Sequence, residues 1–313
     1  MKALLFPGQG SQVVGMGLEF HKNFEIVKKL FNQADEVLNF NLSKIILDGP
    51  DEKLKLTENA QPAILTISYS IFRVLKDEFN FNLNFFEYFA GHSLGEYSAL
   101  VCSGSLSYTD ALYLLNERGK AMQKAVPIGE GKMIAVLGLN SLSIDEIIGN
   151  EKKINGVCEI ANDNADGQII ISGDTVSITT LEGILKAKKI KTIPLKVSAP
   201  FHCKLMKPAA DSMRDKINNT KFDNPKVKVF NNVNANVENN PDIIKKLLIE
   251  QIYSTVKWRD ILINMSKLGV KDFLEIGPGK ALSGMVKRTV KNVYSFSINS
   301  LSDIKNLKDG LKR

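Results

Sequence analysis

The chain has 313 residues, 44% of them hydrophobic and 24% charged, and a formal net charge of +7. That composition excludes intrinsic disorder, collagen-like repeats and coiled-coil rods as the main architecture. The length suits one large α/β domain or two smaller ones, with ample material for a core.

Three cysteines, Cys102, Cys158 and Cys203, are too few and too scattered for a disulfide framework, and no CxxC pair offers a zinc site. A reducing compartment is expected. No segment approaches the ~20 apolar residues of a membrane span. The start, MKALLFPGQG, is broken by Pro7-Gly8 too early for a signal h-region, so the chain is expected to begin inside its fold. The positive charge admits nucleic acid, an anionic membrane surface or an acidic protein partner. Lys, Asn and Ile are abundant throughout, however, and composition bias is the simpler account.

Residues 3–6 form a short apolar run stopped by Pro7-Gly8, a buried strand followed by a loop. Phe20, Phe24, Val27, Phe31, Ala34 and Leu38 then recur at alternating spacings of four and three, which predicts one amphipathic helix. Residues 62–79 are apolar on most faces and predict a buried helix with Pro62 at its first position. Phe85–Ala90 is an aromatic strand running into Gly91, and 109–124 is helical again. Beyond Pro127-Ile128-Gly129 the texture changes. Strands are predicted at 132–138, 157–161, 168–172 and 191–197, with helices at 143–149 and 176–189. That β-α-β-β-α-β order is the split βαβ pattern of a ferredoxin-like unit. The remainder alternates helices near 204–219, 241–250, 256–268 and 280–290 with strands at 227–230, 271–276 and 293–297, favouring a mostly parallel sheet with helices on both faces. The charged end, Lys312-Arg313, is expected to fray.

The sharpest local signal is Gly91-His92-Ser93-Leu94-Gly95. It matches the G-x-S-x-G nucleophile elbow, with a strand before it and a helix after it. An elbow needs glycines where Cβ atoms would clash. The following helix, Glu96 to about Cys102, aims its positive end at a developing oxyanion, and the Leu94 N–H is the first oxyanion donor. A serine nucleophile needs a base. Of three histidines, His21 falls on the polar side of the first amphipathic helix, and His92 beside the serine is expected to point away from it. His202, on the loop Ser198-Ala199-Pro200-Phe201-His202, is left as the base. No Asp stands in an obvious strand-end position before it, which leaves a carbonyl as the candidate orienting group.

FPGQGSQ (6–12), GHSLGEYSAL (91–100), ERGKAMQ (117–123), APFHCKLMKPA (199–209), VFNNV (229–233) and EIGPGKALSGM (275–285) lie in this order across nearly the whole chain. Together they resemble malonyl-CoA:acyl carrier protein transacylases. The resemblance implies an α/β-hydrolase-like large subdomain, residues 1–128 and 198–313, with an inserted ferredoxin-like small subdomain, residues 129–197. It implies Ser93 as the nucleophile that carries the malonyl ester, His202 as general base and then acid, and Gln12 with the Leu94 N–H as the oxyanion hole. It implies Arg118 as the grip on the malonyl carboxylate, and a planar fork matching a carboxylate bidentately suits that role. Gln251 falls where the family places a main-chain carbonyl that orients the histidine, although Thr255 stands where a proline is usual. A less rigid loop is therefore expected there.

The implied reaction is ping-pong transfer from malonyl-CoA to acyl carrier protein, serving fatty acid synthesis. It needs no metal and no bound organic cofactor. The expected partners are malonyl-CoA and an acidic carrier protein, with no nucleic acid and no membrane, and a cytoplasmic monomer is expected. An organellar location after removal of a transit peptide stays open, as do tolerance for methylmalonyl groups and the carrier-docking surface. Competing readings are a serine thioesterase or hydrolase, and a non-catalytic scaffold that binds carrier protein or nucleic acid. Asn162, Asn164 and Gln168 fit either cleft liners or turn formers. Asn231 and Asn232 fit cleft or structural roles equally, and Cys203 is taken as packing. Gly8-Gln9-Gly10 lacks the third glycine of a dinucleotide fingerprint, and Gly279-Lys280 lacks the earlier P-loop glycine.

Overall fold

The computed structural model describes residues 1–310 other than 196 and 198, and builds an α/β fold on two sheets. In chain order the strands are β1 (Lys2–Phe6), β2 (Tyr88–Gly91), β3 (Gly131–Leu137), β4 (Cys158–Ala165) and β5 (Gln168–Asp174). They continue with β6 (Lys191–Pro194), β7 (Lys228–Phe230), β8 (Val237–Glu238), β9 (Asp272–Ile276) and β10 (Tyr294–Ile298). The larger sheet has the order β10-β9-β1-β2-β7-β8 and is parallel except for β8. The smaller has the order β4-β5-β3-β6 and is antiparallel throughout, as the split βαβ pattern requires.

Side-chain alternation along the strands divides the core. Leu4, Phe6, Phe89 and Leu274 join one buried cluster, whereas Ala3, Leu5, Tyr88, Ala90 and Phe273 join another with Trp258, Ile261 and Val286. The small sheet does the same. Met133, Ala135 and Ile170 face the main core, while Ile134, Val136, Ile169 and Ile171 pack with Ile178 and Leu181 of their own helix. One face of the small sheet is thus buried in the main core.

The structure alters several predicted elements. The amphipathic stripe is two helices, Leu18–Asn23 and Glu25–Leu38, because Phe24 is extended at φ −128 and ψ 122. Phe24 keeps its place on the stripe by packing on Phe20 and Phe79. The aromatic strand begins only at Tyr88, after a 3₁₀ turn at Leu83–Phe85. Short helices at Leu42–Asp48 and Asp51–Lys55, and one at Leu301–Gly310, carried too little periodicity to be predicted. β4 extends through Asn162, Asp163 and Asn164, and the turn falls at Asp166-Gly167. β6 stops at Pro194, short of the predicted end at Val197; Lys196 of that predicted strand, Ser198 of the histidine loop, and Lys312-Arg313 lie outside the described residues.

The buried helix starts five residues earlier than predicted, at Thr57, so Pro62 lies inside it. A proline there leaves the Glu58 carbonyl without its helical donor. Asn116 of the helix Tyr108–Lys124 supplies one instead, its Nδ2 donating to Glu58 O at 2.9 Å. Three residues on, Gly119 allows the two helices to touch, since a Cβ there would stand 2.4 Å from Glu58 Cα. This contact sets the depth of Arg118, one residue away. Asn116→Ala is expected to cost about 1–3 kcal/mol by stranding the carbonyl, and less in a Pro62→Ala background, where a backbone N–H is restored. Equilibrium urea unfolding of the four combinations measures this, and an equal cost in both backgrounds would show that Asn116 does not replace the missing donor.

Candidate active site

The carboxyl ends of β1, β2 and β7 converge, the place where parallel α/β sheets bind ligands. From β2 the chain turns through His92 and Ser93 into the helix Leu94–Cys102. Ser93 sits at φ 53 and ψ −112, a strained conformation for a residue with a Cβ. Both elbow glycines are sterically required: a Cβ on Gly91 would lie 1.8 Å from Gly95 O, and one on Gly95 would lie 2.3 Å from Phe6 O. The Ser93 N–H donates to Asn232 Oδ1 at 2.7 Å. The Leu94 N–H, in the unsatisfied first turn of its helix, has no acceptor among the described residues.

Ser93 Oγ lies 2.8 Å from His202 Nε2, and His202 Nδ1 lies 2.8 Å from the main-chain carbonyl of Gln251. A carbonyl only accepts, so Nδ1 carries the proton and Nε2 is left to accept from the serine hydroxyl. Gln251 ends the helix Pro241–Gln251, where carbonyls lack helical donors, and its carbonyl is therefore free for this role. His202 is 5% exposed. Burial, reinforced by the positive charge of Arg118, pushes its pKa down to about 3. The imidazole is a neutral acceptor.

Arg118 is 1% exposed. Its NH1 donates to Gln61 Oε1 at 2.7 Å, and its NH2 donates to Gln251 Oε1 at 2.9 Å and to Ser93 Oγ at 3.1 Å. Nε is buried without a partner. Among the described residues no carboxylate comes within ion-pair distance of this guanidinium. Three of its five donors are engaged, all by neutral oxygens.

The site thus gathers Ser93, Leu94, Arg118, His202 and Gln251. Gln12 stays on its own loop, where its Oε1 accepts from Gly10 N–H at 2.7 Å; among the described residues its amide nitrogen has no partner. Thr255 does not leave its loop untied, because its hydroxyl donates to Ile160 O at 2.5 Å and Val256 pairs with Ala161 and Asp163. His92 turns away from Ser93, its Nε2 lying 2.8 Å from Asn164 Oδ1 and its ring against Trp258. His21 is half-buried against Phe31 instead of solvated. Cys203 donates to Pro200 O at 3.1 Å, and burial pushes its thiol up to about 11, so it is inert. Asn231 braces its own turn through Val233, Asn234 and Asn236.

Two residues gain a role the sequence did not reveal. Asn232 is fully buried, with Nδ2 donating to Gly91 O at 2.8 Å, so it clamps both sides of the elbow. Glu96 is 2% exposed; its Oε2 accepts from Gln251 Nε2 at 2.7 Å and from Asn232 N–H at 2.9 Å. Its one sequence signal is that it is the sole charged residue in a mostly apolar helix.

An acyl transferase domain model matches residues 3–309. The chain belongs to the acyl transferase family. Its relatives include the malonyl CoA-acyl carrier protein transacylase of Bacillus subtilis, 41% identical over 298 residues that span 95% of this chain and 93% of that protein. The protein of the same name from Escherichia coli K12 is 40% identical over 301 residues, 96% of each. Among solved structures, an acyl carrier protein S-malonyltransferase from Vibrio cholerae matches with a TM-score of 0.94 at 38% identity, over 98% of this chain and 99% of that one. A type II PKS acyl-carrier protein in complex with its malonyl-transacylase matches with a TM-score of 0.93 at 37% identity, over 98% of this chain and 99% of that one. Among the described residues of this acyl transferase, no helix is long and apolar enough to cross a membrane, and no cluster of His, Cys, Asp and Glu could hold a metal.

Two buried groups give this acyl transferase opposing pH slopes. Below its ordinary 6.5 an unfolded histidine takes up a proton that folded His202 refuses until about pH 3, so this stabilisation is lost as pH falls. Burial raises the Glu96 carboxyl to about 7 from its ordinary 4.5, so stability falls as pH rises across that window. His202 is expected to remain neutral at pH 5 in ¹⁵N–¹H spectra of labelled histidine. A midpoint near 6.5 would contradict the burial and the charge that surround it.

Proposed function

We propose that the chain transfers a malonyl group from malonyl-CoA to the phosphopantetheine thiol of acyl carrier protein, supplying extender units for fatty acid synthesis. In this reading Ser93 Oγ attacks the thioester carbonyl while His202 Nε2 takes the hydroxyl proton. The tetrahedral intermediate collapses, the C–S bond breaks, and CoA leaves as a thiol with the proton from His202. The carrier thiol then attacks the Ser93 ester, passes its proton to His202, and departs as the malonyl thioester while Ser93 regains the proton. One site serves both halves, and splitting the transfer in two is what a covalent serine ester provides. The Leu94 N–H is assigned as one oxyanion donor, and the Gln12 amide nitrogen, unengaged on its own loop among the described residues, as the second by the family resemblance. We also divide the chain as the resemblance implies, 1–128 with 198–313 as the catalytic subdomain and 129–197 as the small one.

The observation that carries this reading is Arg118. A guanidinium withdrawn from water is costly unless paired, yet this one meets only neutral oxygens and keeps Nε unspent, 3.1 Å from the serine oxygen for its nearer nitrogen. A malonyl ester on Ser93 carries its free carboxylate two carbons beyond the ester carbonyl carbon, within reach of that fork. An acetyl ester has nothing to offer it. The names of the relatives and the carrier-protein complex among the matching structures agree with this substrate pair.

Intact-mass measurement after incubation with malonyl-CoA is expected to show one malonyl adduct, absent in Ser93→Ala. An adduct that survives that substitution would remove Ser93 as the nucleophile, and release of free malonate in preference to carrier-bound malonyl would make the protein a thioesterase. Arg118→Ala is expected to lower malonyl transfer about 10- to 100-fold more than acetyl transfer, the loss of a charge-assisted hydrogen bond to the distal carboxylate. Equal losses for both donors would exclude Arg118 as the selector.

A further inference from the structure

Glu96 holds no substrate in the proposed reaction, and it does not touch Arg118 directly. Its carboxylate is nevertheless aimed into the site, where one oxygen, Oε2, takes two N–H donors: Gln251 Nε2 at 2.7 Å and the Asn232 main chain at 2.9 Å. A carboxylate oxygen can only accept here, so Gln251 must present its nitrogen to Glu96. The amide then has one place left for its carbonyl oxygen, and that place is 2.9 Å from Arg118 NH2. Were the amide turned over, two nitrogens would face each other at Arg118 and two oxygens would face each other at Glu96. Ser93 O at 3.1 Å and Asn232 Oδ1 at 3.3 Å favour the same orientation through longer contacts.

We infer that Glu96 is a positioning residue for acyl-group selection: it fixes the orientation of the Gln251 amide, and the amide in turn fixes the guanidinium of Arg118 that receives the substrate's distal carboxylate. This rests on the malonyl reading above. Both bonds use Oε2, so a proton carried by Oε1 leaves the amide in place, and the device works on either side of the raised carboxyl pKa. The main-chain carbonyl of Gln251 is held by its helix, so the hold on His202 does not depend on Glu96. Glu96 should therefore affect the choice between acyl groups more than the rate of transfer as such.

The test compares malonyl-CoA with acetyl-CoA as donors in carrier-protein transfer. Glu96→Leu is expected to lower kcat/KM for malonyl-CoA about tenfold more than for acetyl-CoA, chiefly through KM, and Glu96→Gln, which still offers an oxygen, is expected to return most of that discrimination. In a Gln251→Leu background Glu96→Leu should add no further loss of discrimination, because the amide it orients is gone. Thermal unfolding shows whether each variant is folded; should Leu not be accommodated, Glu96→Ala carries the same comparison. Equal losses for both donors, or full additivity with Gln251→Leu, would overturn the inference. A wild-type enzyme that forms no malonyl adduct and shows no preference for malonyl-CoA would instead overturn the malonyl reading itself, and the inference with it.

Discussion

A buried positive charge without a counter-ion is the constraint around which this molecule is arranged. Taking a guanidinium out of water costs several kcal/mol unless its donors are met. Arg118 has only three of its five donors met, by Gln61 from one helix, Gln251 from the end of another and Ser93 from the elbow, while its own helix supplies the stem and Nε is left unpaired. The Tyr97 ring lies 5.8 Å beneath its centre and adds a face that favours a cation. Four segments far apart in sequence are thus tied to one planar group. All of these partners are neutral, so they orient the charge without cancelling it. A carboxylate in their place would have given a more stable core and a site with no attraction left for an anion.

The same charge sets the chemistry of the base. Burial and Arg118 together keep His202 neutral, and a neutral imidazole with its proton fixed on Nδ1 is the form that can accept from a serine hydroxyl. The arrangement replaces the carboxylate of a three-residue triad by a helix-terminal carbonyl, which orients the ring without adding a negative charge. Beside a buried Arg118, an aspartate in that position would compete with any anionic substrate for the guanidinium.

Much of this was legible in the sequence because it is local. The elbow is five consecutive residues, the helix bearing Arg118 is a regular amphipathic stretch, and the split βαβ order follows from alternation and turn signals. What was not legible is carried by contacts between distant residues. Asn232 reaches Ser93 across 139 positions and Glu96 across 136. Spacing alone could not decide whether that asparagine lined a cleft or held a turn. Pro62 could be accepted inside a helix only because Asn116, 58 positions away from Glu58, replaces the missing donor. Asn162, Asp163 and Asn164 have the composition of a turn, yet they continue β4. Asp163 there meets Arg259 through both carboxylate oxygens at 3.1 Å, and Asn164 meets His92, so tertiary partners overrode local preference.

The hydrogen bond from Arg118 NH2 to Ser93 Oγ ties selection to chemistry. In the proposed reaction that donor stabilises negative charge developing on the serine oxygen before acylation, and it shares this oxygen with His202. Once the oxygen is part of an ester it is a poorer acceptor, and the donor becomes available to the carboxylate of the acyl group just attached. In the same reading that carboxylate also offsets the charge that depresses His202, so the proposed base gains proton affinity when an acidic acyl group is in place. On this proposal an acyl group without a carboxylate leaves Arg118 unsatisfied and His202 a weaker base, a double disadvantage that arises from one guanidinium within hydrogen-bond reach of the proposed nucleophile and beside its proposed base.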